Sequence, residues 1–462
     1  MSDNSPISAQ GPVSQAPTPH EPIPQDPVVD RAAAALDPSD DGRWKDAVRE
    51  IFSASPWVAL GSLVLAFLVG SIMIAFTDSA VQEAAGWFFS RPGDTFAALG
   101  SAIGNAYSQL FQGAIFNFAF FERGGFLEGI RPLMSTLGTA TPLIAAGLGV
   151  AVSFRAGLFN IGGRGQMIFA AMVSGWLGFT LTGIPFPLLL IICLLAGMLA
   201  GSLWAGLAGY LKAKTGAHEV IATIMLNYVA FYFLQWTLAP GGFLRGDRGT
   251  PISNPVQADA AFPRLFGQRY TVTWAFVLSL LAVVFCWWLL NRSSMGFAFR
   301  AIGENSRAAK VAGINVQRTT VAAMMVAGLL IGLAGVQQVL GPLASQGFGD
   351  GVDAGIGFDA ITVALLGSSQ PVGVMLAGLL FGAFNEGGRA MQAGAGINIS
   401  VVSVIQSLIV LFIAAPPLVR AIFRLPQPSQ VAAARKAEAK QVAAAAKREA
   451  KNAGTQAQEA TR

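Results

Sequence analysis

The run from Gly165 to Leu211 contains no charged residue. A bilayer's hydrocarbon is crossed by about 20 apolar residues in helical form, because hydrocarbon offers an extended backbone no hydrogen-bond partners. The run is therefore long enough for two crossings, with a turn at Thr182-Gly183-Ile184-Pro185. Other charge-free runs follow the same logic: Ile51 to Thr77, with its apolar centre from Trp57 to Phe76, then Pro132 to Phe154, Val220 to Leu244, and Thr271 to Asn291. Thr319 to Gly349 holds the next span, and Met391 to Val419 holds the last. Ala360 to Asn385 is interrupted at Gly367-Ser368-Ser369-Gln370-Pro371, which reads as a short helix, a turn inside the membrane and a second helix. The fold class is all-α: a polytopic integral membrane protein with about ten transmembrane helices, some broken or short.

Composition agrees. The chain is 53% hydrophobic and 12% charged, against about 25% charged in an ordinary soluble domain. Its 53 glycines suit helices packed backbone to backbone in a membrane. The net charge of +5 sits between and beyond the apolar runs, which reads as membrane orientation and gives no nucleic-acid partner. With both termini cytoplasmic, the inner segments collect Arg43, Lys45, Arg49, Arg155, Arg164, Lys212 and Lys214. They also collect Arg292, Arg300, Arg307, Lys310, Arg318, Arg420 and Arg424. The outer arginines, among them Arg245, Arg248, Arg264 and Arg269, are dispersed through long loops, which count less in setting topology. Thr95 to Phe121 is uncharged but carries Ser101, Asn105, Ser108, Gln109, Gln112 and Asn117, and is expected as an amphipathic helix on the outer surface.

The domain boundaries follow. Residues 1–42 are Pro-rich, slightly acidic and expected to be disordered, with no secretory signal visible. Residues 43–425 form the transmembrane domain. Residues 426–462 form an Ala/Lys-rich cytoplasmic tail, either a solvated helix or a contact with anionic membrane lipid.

The chain carries no engine of its own. There is no GxxxxGK[ST] phosphate loop, and His20 and His218 cannot build a metal cluster. The apolar cores are almost free of the ionisable groups that ion-coupled carriers place near the midplane. The expectation is a non-enzymatic transporter with no metal or cofactor of its own, whose energy comes from a separate subunit. A self-sufficient carrier or channel is the alternative.

Two segments stand out. In Gly296 to Ile314, Asn305 or Ser306 can cap a short helix and Gly313 fits its stop. Ala308, Ala309 and Ala312 leave one side of that helix small, suited to a groove on another protein, while Arg307 and Lys310 point elsewhere. In Asn160-Ile161-Gly162-Gly163, adjacent glycines weaken a helix at membrane depth, where unwound backbone is tolerated if it is buried or lines a cavity. Asn160 and Gln166, with Asn227 and Tyr228 in a later span, either face a substrate pathway or serve as a helix cap and as interhelical bonds. The break at Gly367–Pro371 reads as the late-chain counterpart of the break at Asn160–Gln166.

Three motifs carry a resemblance. Gly303-Glu304-Asn305 through Ala308-Ala309 to Gly313-Ile314 resembles the coupling loop of bacterial ABC importer permeases of the branched-chain amino acid, simple sugar and nucleoside branch. Phe154-Arg155-Ala156-Gly157-Leu158-Phe159-Asn160-Ile161-Gly162-Gly163-Arg164-Gly165-Gln166 is similar to a run of the nucleoside-type permeases. Gly357 to Gly367 is the third, and together they cover roughly residues 96–420. The resemblance implies a bacterial plasma-membrane permease for nucleosides, with sugars or branched-chain amino acids as alternatives. Its implied partners are a second permease, homologous or identical, an extracytoplasmic solute-binding protein, and a cytoplasmic ABC ATPase that uses ATP. The ATPase would dock on Arg300–Ile314, through Gly303, Glu304, Asn305, Arg307, Ala308, Ala309 and Gly313. Arg164 departs from the family pattern, which has Glu there.

The orientation is testable in intact cells. Cysteines introduced as His20→Cys and Lys440→Cys are expected to be shielded from a membrane-impermeant thiol reagent, and labelling of either from outside overturns the topology.

Overall fold

The structure, a computed structural model, describes residues 56–247, 249–414 and 422. The two tails, Arg248, and the flanking Arg43, Lys45, Arg49, Arg420 and Arg424 used above for orientation lie outside the described residues. Within the described residues the fold is helical, with only isolated bridges at Arg245–Ser253 and Arg264–Thr273.

The centre is built from helices that small residues allow to approach closely. Helix α6 (Arg131–Arg155) starts with Pro at its first turn, where the missing N–H costs nothing, and is buried continuously from Ala140 to Ser153. Helix α12 (Val316–Leu340) is capped by Asn315, whose side chain accepts the Arg318 N–H at 3.0 Å. Helix α8 (Leu188–Thr215) is divided lengthwise. Leu188, Ile191, Leu195, Leu199, Leu203 and Leu207 form an exposed aliphatic stripe at helical spacing. The other side carries Gly197, Gly201, Ala205 and Gly209 against α12. A Cβ on Gly201 would lie 2.7 Å from the Gly332 Cα, and one on Gly328 would lie 2.3 Å from the Ala205 Cβ. The backbones touch where a side chain would stand, the packing that membrane helices use in place of a hydrophobic driving force.

The remaining helices surround this pair. They are α1 (Pro56–Thr77), α2 (Ser79–Ala85), α3 (Pro92–Ala114), α4 (Phe118–Gly124) and α5 (Phe126–Gly129). Then come α7 (Gly163–Thr180), α9 (Glu219–Leu238), α10 (Trp274–Arg292) and α11 (Ser294–Val311). The last are α13 (Ile356–Leu366), α14 (Pro371–Ala395) and α15 (Ile399–Ala414). Among the described residues five helices are long and apolar enough to cross a membrane by composition: α5–α6 taken together, α8, α9, α10 and α12. The bent pair α1–α2 makes a sixth. The expected ten also counted α7, α13, α14 and α15. Helices α13 and α15 are too short. Helices α7 and α14 are rich in glycine and polar residues and bury much of their surface against other helices. A helix enclosed by protein does not need the hydropathy that lipid contact demands.

Helix α3 occupies the segment expected as a surface amphipathic helix. It is packed lengthwise on α14, closer than a helix lying on the surface: a Cβ on Gly113 would meet the Ala390 Cβ, and one on Gly387 the Leu110 carbonyl oxygen. Its Tyr107 hydroxyl donates to the Phe67 carbonyl of α1 at 2.7 Å.

One end of the bundle carries α11. At the far end, the loop between α9 and α10 folds over the helix ends, with Val256 N–H bonded to the Ala344 carbonyl at 3.0 Å and Phe262 N–H to the Leu340 carbonyl at 2.8 Å. The break at Gly367–Pro371 is a turn between α13 and α14, with Ser368 and Ser369 in the left-handed region. It lies against the end of α6, where Arg155 Nε donates to the Ser369 carbonyl at 3.1 Å. That places it at the α11 end of the bundle.

Gly328→Leu would force a side chain into the α8–α12 backbone contact, where overpacking costs about 1–3 kcal/mol. A clear fall in detergent melting temperature is expected, with Leu199→Ala on the exposed stripe leaving it nearly unchanged.

Candidate functional site: an interrupted span and a protruding helix

Helix α6 ends at Arg155, and Gly157 just beyond it, with φ +68°, carries the chain into an αL turn. Leu158 N–H returns to the Ser153 carbonyl at 2.9 Å and Gly157 N–H to the Phe154 carbonyl at 3.0 Å, so the last carbonyls of α6 are satisfied. The chain then runs without helix until α7 begins at Gly163.

Buried non-helical backbone needs partners, and two amide side chains, Asn160 and Asn227, supply them, with Gln166 bonded to Asn160. Asn160 is fully buried, and its Oδ1 accepts from Gly162 N–H at 2.9 Å and from Gln166 Nε2 at 3.0 Å. Asn227 reaches across from α9, donating to the Ile161 carbonyl at 2.9 Å and accepting from Gly165 N–H at 2.8 Å. The second bond caps the first turn of α7, where N–H groups have no partner within the helix. The cap expected of Asn160 is a bond to Gly162 N–H just before α7, the interhelical bond expected of Gln166 is made by Asn227 instead, and the polar atoms of Asn160 are engaged within the chain. Tyr228 is not brought to this cluster. It follows Asn227 by one residue, about 100° round the helix, and is exposed on the outer side of α9.

The break meets a second one, not at Gly367–Pro371 but at the start of α13. Ala354 and Gly355 have positive φ, and α13 starts at Ile356. A Cβ on Gly163 would lie 2.6 Å from the Gly357 carbonyl oxygen, and one on Gly357 would lie 2.4 Å from Arg164 N. The two helix starts touch through glycines. Beside them Arg164 Nε donates to Asp353 Oδ1 at 3.3 Å, and its guanidinium lies 4.7 Å from the centre of the Phe231 ring. Asp353 is 4% exposed. A charge buried this far is retained when paired. Sequence reasoning flagged Arg164 but missed Asp353, 189 residues away along the chain, because no local pattern links them.

The protruding segment at the α11 end carries the other candidate residues. Helix α11 kinks at Asn305, where φ is −157° and ψ is 102°. Asn305 Oδ1 accepts from Arg307 N–H at 3.0 Å and Ala308 N–H at 3.1 Å, so Asn305 caps the short helix that follows. Gly313, at φ +87°, ends it: its N–H bonds the Lys310 carbonyl and Ile314 N–H the Ala309 carbonyl. Gly303 packs against the end of α6, its absent Cβ lying 2.4 Å from the Arg155 carbonyl oxygen. Glu304, Arg307, Ala308, Lys310 and Ala312 are exposed, and Val311 is 91% exposed. Ala309 corrects the expected small face, since it is 4% exposed and joins the central hydrophobic cluster. The Asn305 cap sets the phase of the short helix and turns Ala309 inward, leaving Ala308, Val311 and Ala312 on the free side.

Residues 133–414 match the family of branched-chain amino acid transport system permease components, and the chain belongs to that family. It is 33% identical to the guanosine ABC transporter permease of Bacillus subtilis over 321 residues, 70% of this chain and 88% of the relative. The nucleoside ABC transporter permease NupB of Lactococcus lactis is 33% identical over 62% of this chain and 80% of its own length. The glucose ABC transporter permease TsgB13 of Haloferax volcanii is 33% identical over 61% and 75%. No solved structure matches. The chain is a permease component of a transport system, a multi-pass plasma-membrane protein and not an enzyme.

Asn160→Ala would leave Gly162 N–H and the Gln166 amide buried without their partner, at about 1–3 kcal/mol each. A lowered detergent melting temperature is expected, and an unchanged one refutes the scaffold role. Ala309→Trp is expected to lower melting temperature as well, because the residue lies in the core.

Proposed function

We propose that the chain is the membrane permease of an ATP-driven nucleoside importer. The observation that carries this reading is its similarity, across most of their lengths, to relatives named as guanosine and nucleoside permeases. A cytoplasmic ABC ATPase supplies the energy from ATP, an extracytoplasmic solute-binding protein delivers the solute, and a second permease, homologous or identical, completes the channel. The ATPase docks on the short helix between Asn305 and Gly313. Support comes from a helix capped at both ends, anchored through Gly303 to the end of α6, with an apolar Val311 and small Ala308 and Ala312 facing outward. Movement of that helix reaches α6 and hence the break that follows it. The solute route passes the junction of α7 and α13, with Asn160, Gln166 and Asn227 holding the unwound backbone in place. Tyr228, on the exposed side of α9, faces the companion permease.

A sugar remains the second reading, on the glucose permease that matches equally well by identity. Uptake of radiolabelled guanosine by cells carrying the intact system separates the two. Nucleosides are expected to compete, while glucose and leucine are not, and competition by glucose alone would move the assignment to sugars. Docking has its own test: Ala312→Glu is expected to abolish uptake while melting temperature and membrane insertion stay normal, and normal uptake would place the dock elsewhere.

A further inference from the structure

We propose that Arg164 is a solute-contacting residue on the transport route, donating through its two terminal nitrogens to paired acceptor atoms on the solute, with Asp353 and Phe231 holding it in position. The inference rests on the nucleoside reading above and assigns a residue to it.

Depth comes first. Gly165 N–H is fixed to Asn227, eight residues into α9 and about 12 Å along it. Phe231, which faces the guanidinium, stands about 18 Å along the same helix. A helix of 20 residues is about 30 Å long, so Arg164 lies near the middle of a span and not among the inner positive charges with which its sequence position groups it. An ionisable side chain at that depth faces protein or a water-filled cavity and not lipid.

The donors come next. A guanidinium carries five N–H donors. Among the described residues only the Nε–H has a hydrogen-bond partner, Asp353 Oδ1. The side chain is 30% exposed, whereas its partner carboxylate is 5% exposed. The acid is thus enclosed and fixed, while the guanidinium is partly exposed and its two terminal nitrogens have no hydrogen-bond partner among the described residues. Local helix electrostatics do not explain an arginine here, because the first turn of α7 disfavours a cation. Nor is a point charge all that is held: the Phe231 face and the Nε–Asp353 bond fix the plane of the fork, the geometry suited to two adjacent acceptors.

The chemistry selects a solute edge. The O6 and N7 atoms of guanine form an acceptor pair that an arginine fork meets with two bonds, whereas adenine offers a donor at N6 beside N7. Guanosine is therefore favoured over adenosine at this point, and a cationic solute is disfavoured. The binding protein also selects, but it is unchanged in a permease variant, so the change in preference reports the permease.

The experiment uses the full assembly of permease, companion permease, ATPase and binding protein, with guanosine and adenosine as probes at saturating concentration. Arg164→Met and Arg164→Lys are each compared with wild type for maximal uptake rate and melting temperature. Lys keeps a charge beside Asp353 and guards against simple loss of the fold. The expected result is that the guanosine-to-adenosine rate ratio falls roughly tenfold in Arg164→Met and by less in Arg164→Lys, whose ammonium can still donate to the guanine O6 and N7. A purely structural role would slow both solutes alike and leave the ratio at the wild-type value, which overturns the inference and leaves the nucleoside reading standing. Failure of the wild-type assembly to take up either nucleoside defeats the nucleoside reading and this inference with it.

Discussion

Peptide groups that leave a helix inside a membrane protein lose their partners and cannot recover them from lipid. The rest of this structure depends on how the chain meets that constraint between Gly157 and Gly165. Two side-chain amides, Asn160 locally and Asn227 from α9, take over bonds that a continuous helix would have made for itself. Because the break is satisfied internally, α7 starts deep in the bundle. Its first turn then meets the first turn of α13 with only glycine between them, and the Arg164–Asp353 pair forms at their junction. Remove the amide bonds and the approach of the two helix starts loses its reason.

The end of α6 that leads into the break also links this junction to the outside of the protein. Arg155 to Gly157 lie directly beneath Gly303, in backbone-to-backbone contact. The kinked α11 is therefore seated on the segment that leads into the break. The turn at Gly157 thus lies between α11 and the residues whose side chains hold α7. In the function proposed above, this contact is the link between dock and pathway. Close packing of small residues, both here and along α8 and α12, supplies it without flexible side chains in between.

Much of this was legible in the sequence, and for identifiable reasons. The absence of charge located α6, α8, α9, α10 and α12 closely, since lipid leaves little freedom in composition. Asn305 and Gly313 announced their caps because capping is a local property, governed by residues three or four apart. The break at Asn160 was visible in its glycines. What could not be read depends on contacts distant along the chain. Asp353 has no local signature as the partner of Arg164, and the counterpart of the Asn160 break is the loop before α13, not Gly367–Pro371. Ala309 looked like part of a free small face, but the rotation of a short helix is set by its packing, and alanine suits core and surface equally. The difference between the expected ten spans and the six that composition picks out among the described residues has a related reason. Hydropathy detects contact with lipid, and α7 and α14 are largely shielded from it.

The account turns on whether the unwound backbone is held by side-chain bonds inside the protein or solvated by water. Hydrogen–deuterium exchange of the segment Phe159–Ile168 in purified, membrane-reconstituted protein measures this directly. The amides of Gly162 and Gly165, bonded to Asn160 and Asn227, are expected to exchange as slowly as those in the centre of α6. Exchange of these two amides at the rate of an exposed loop would contradict the account.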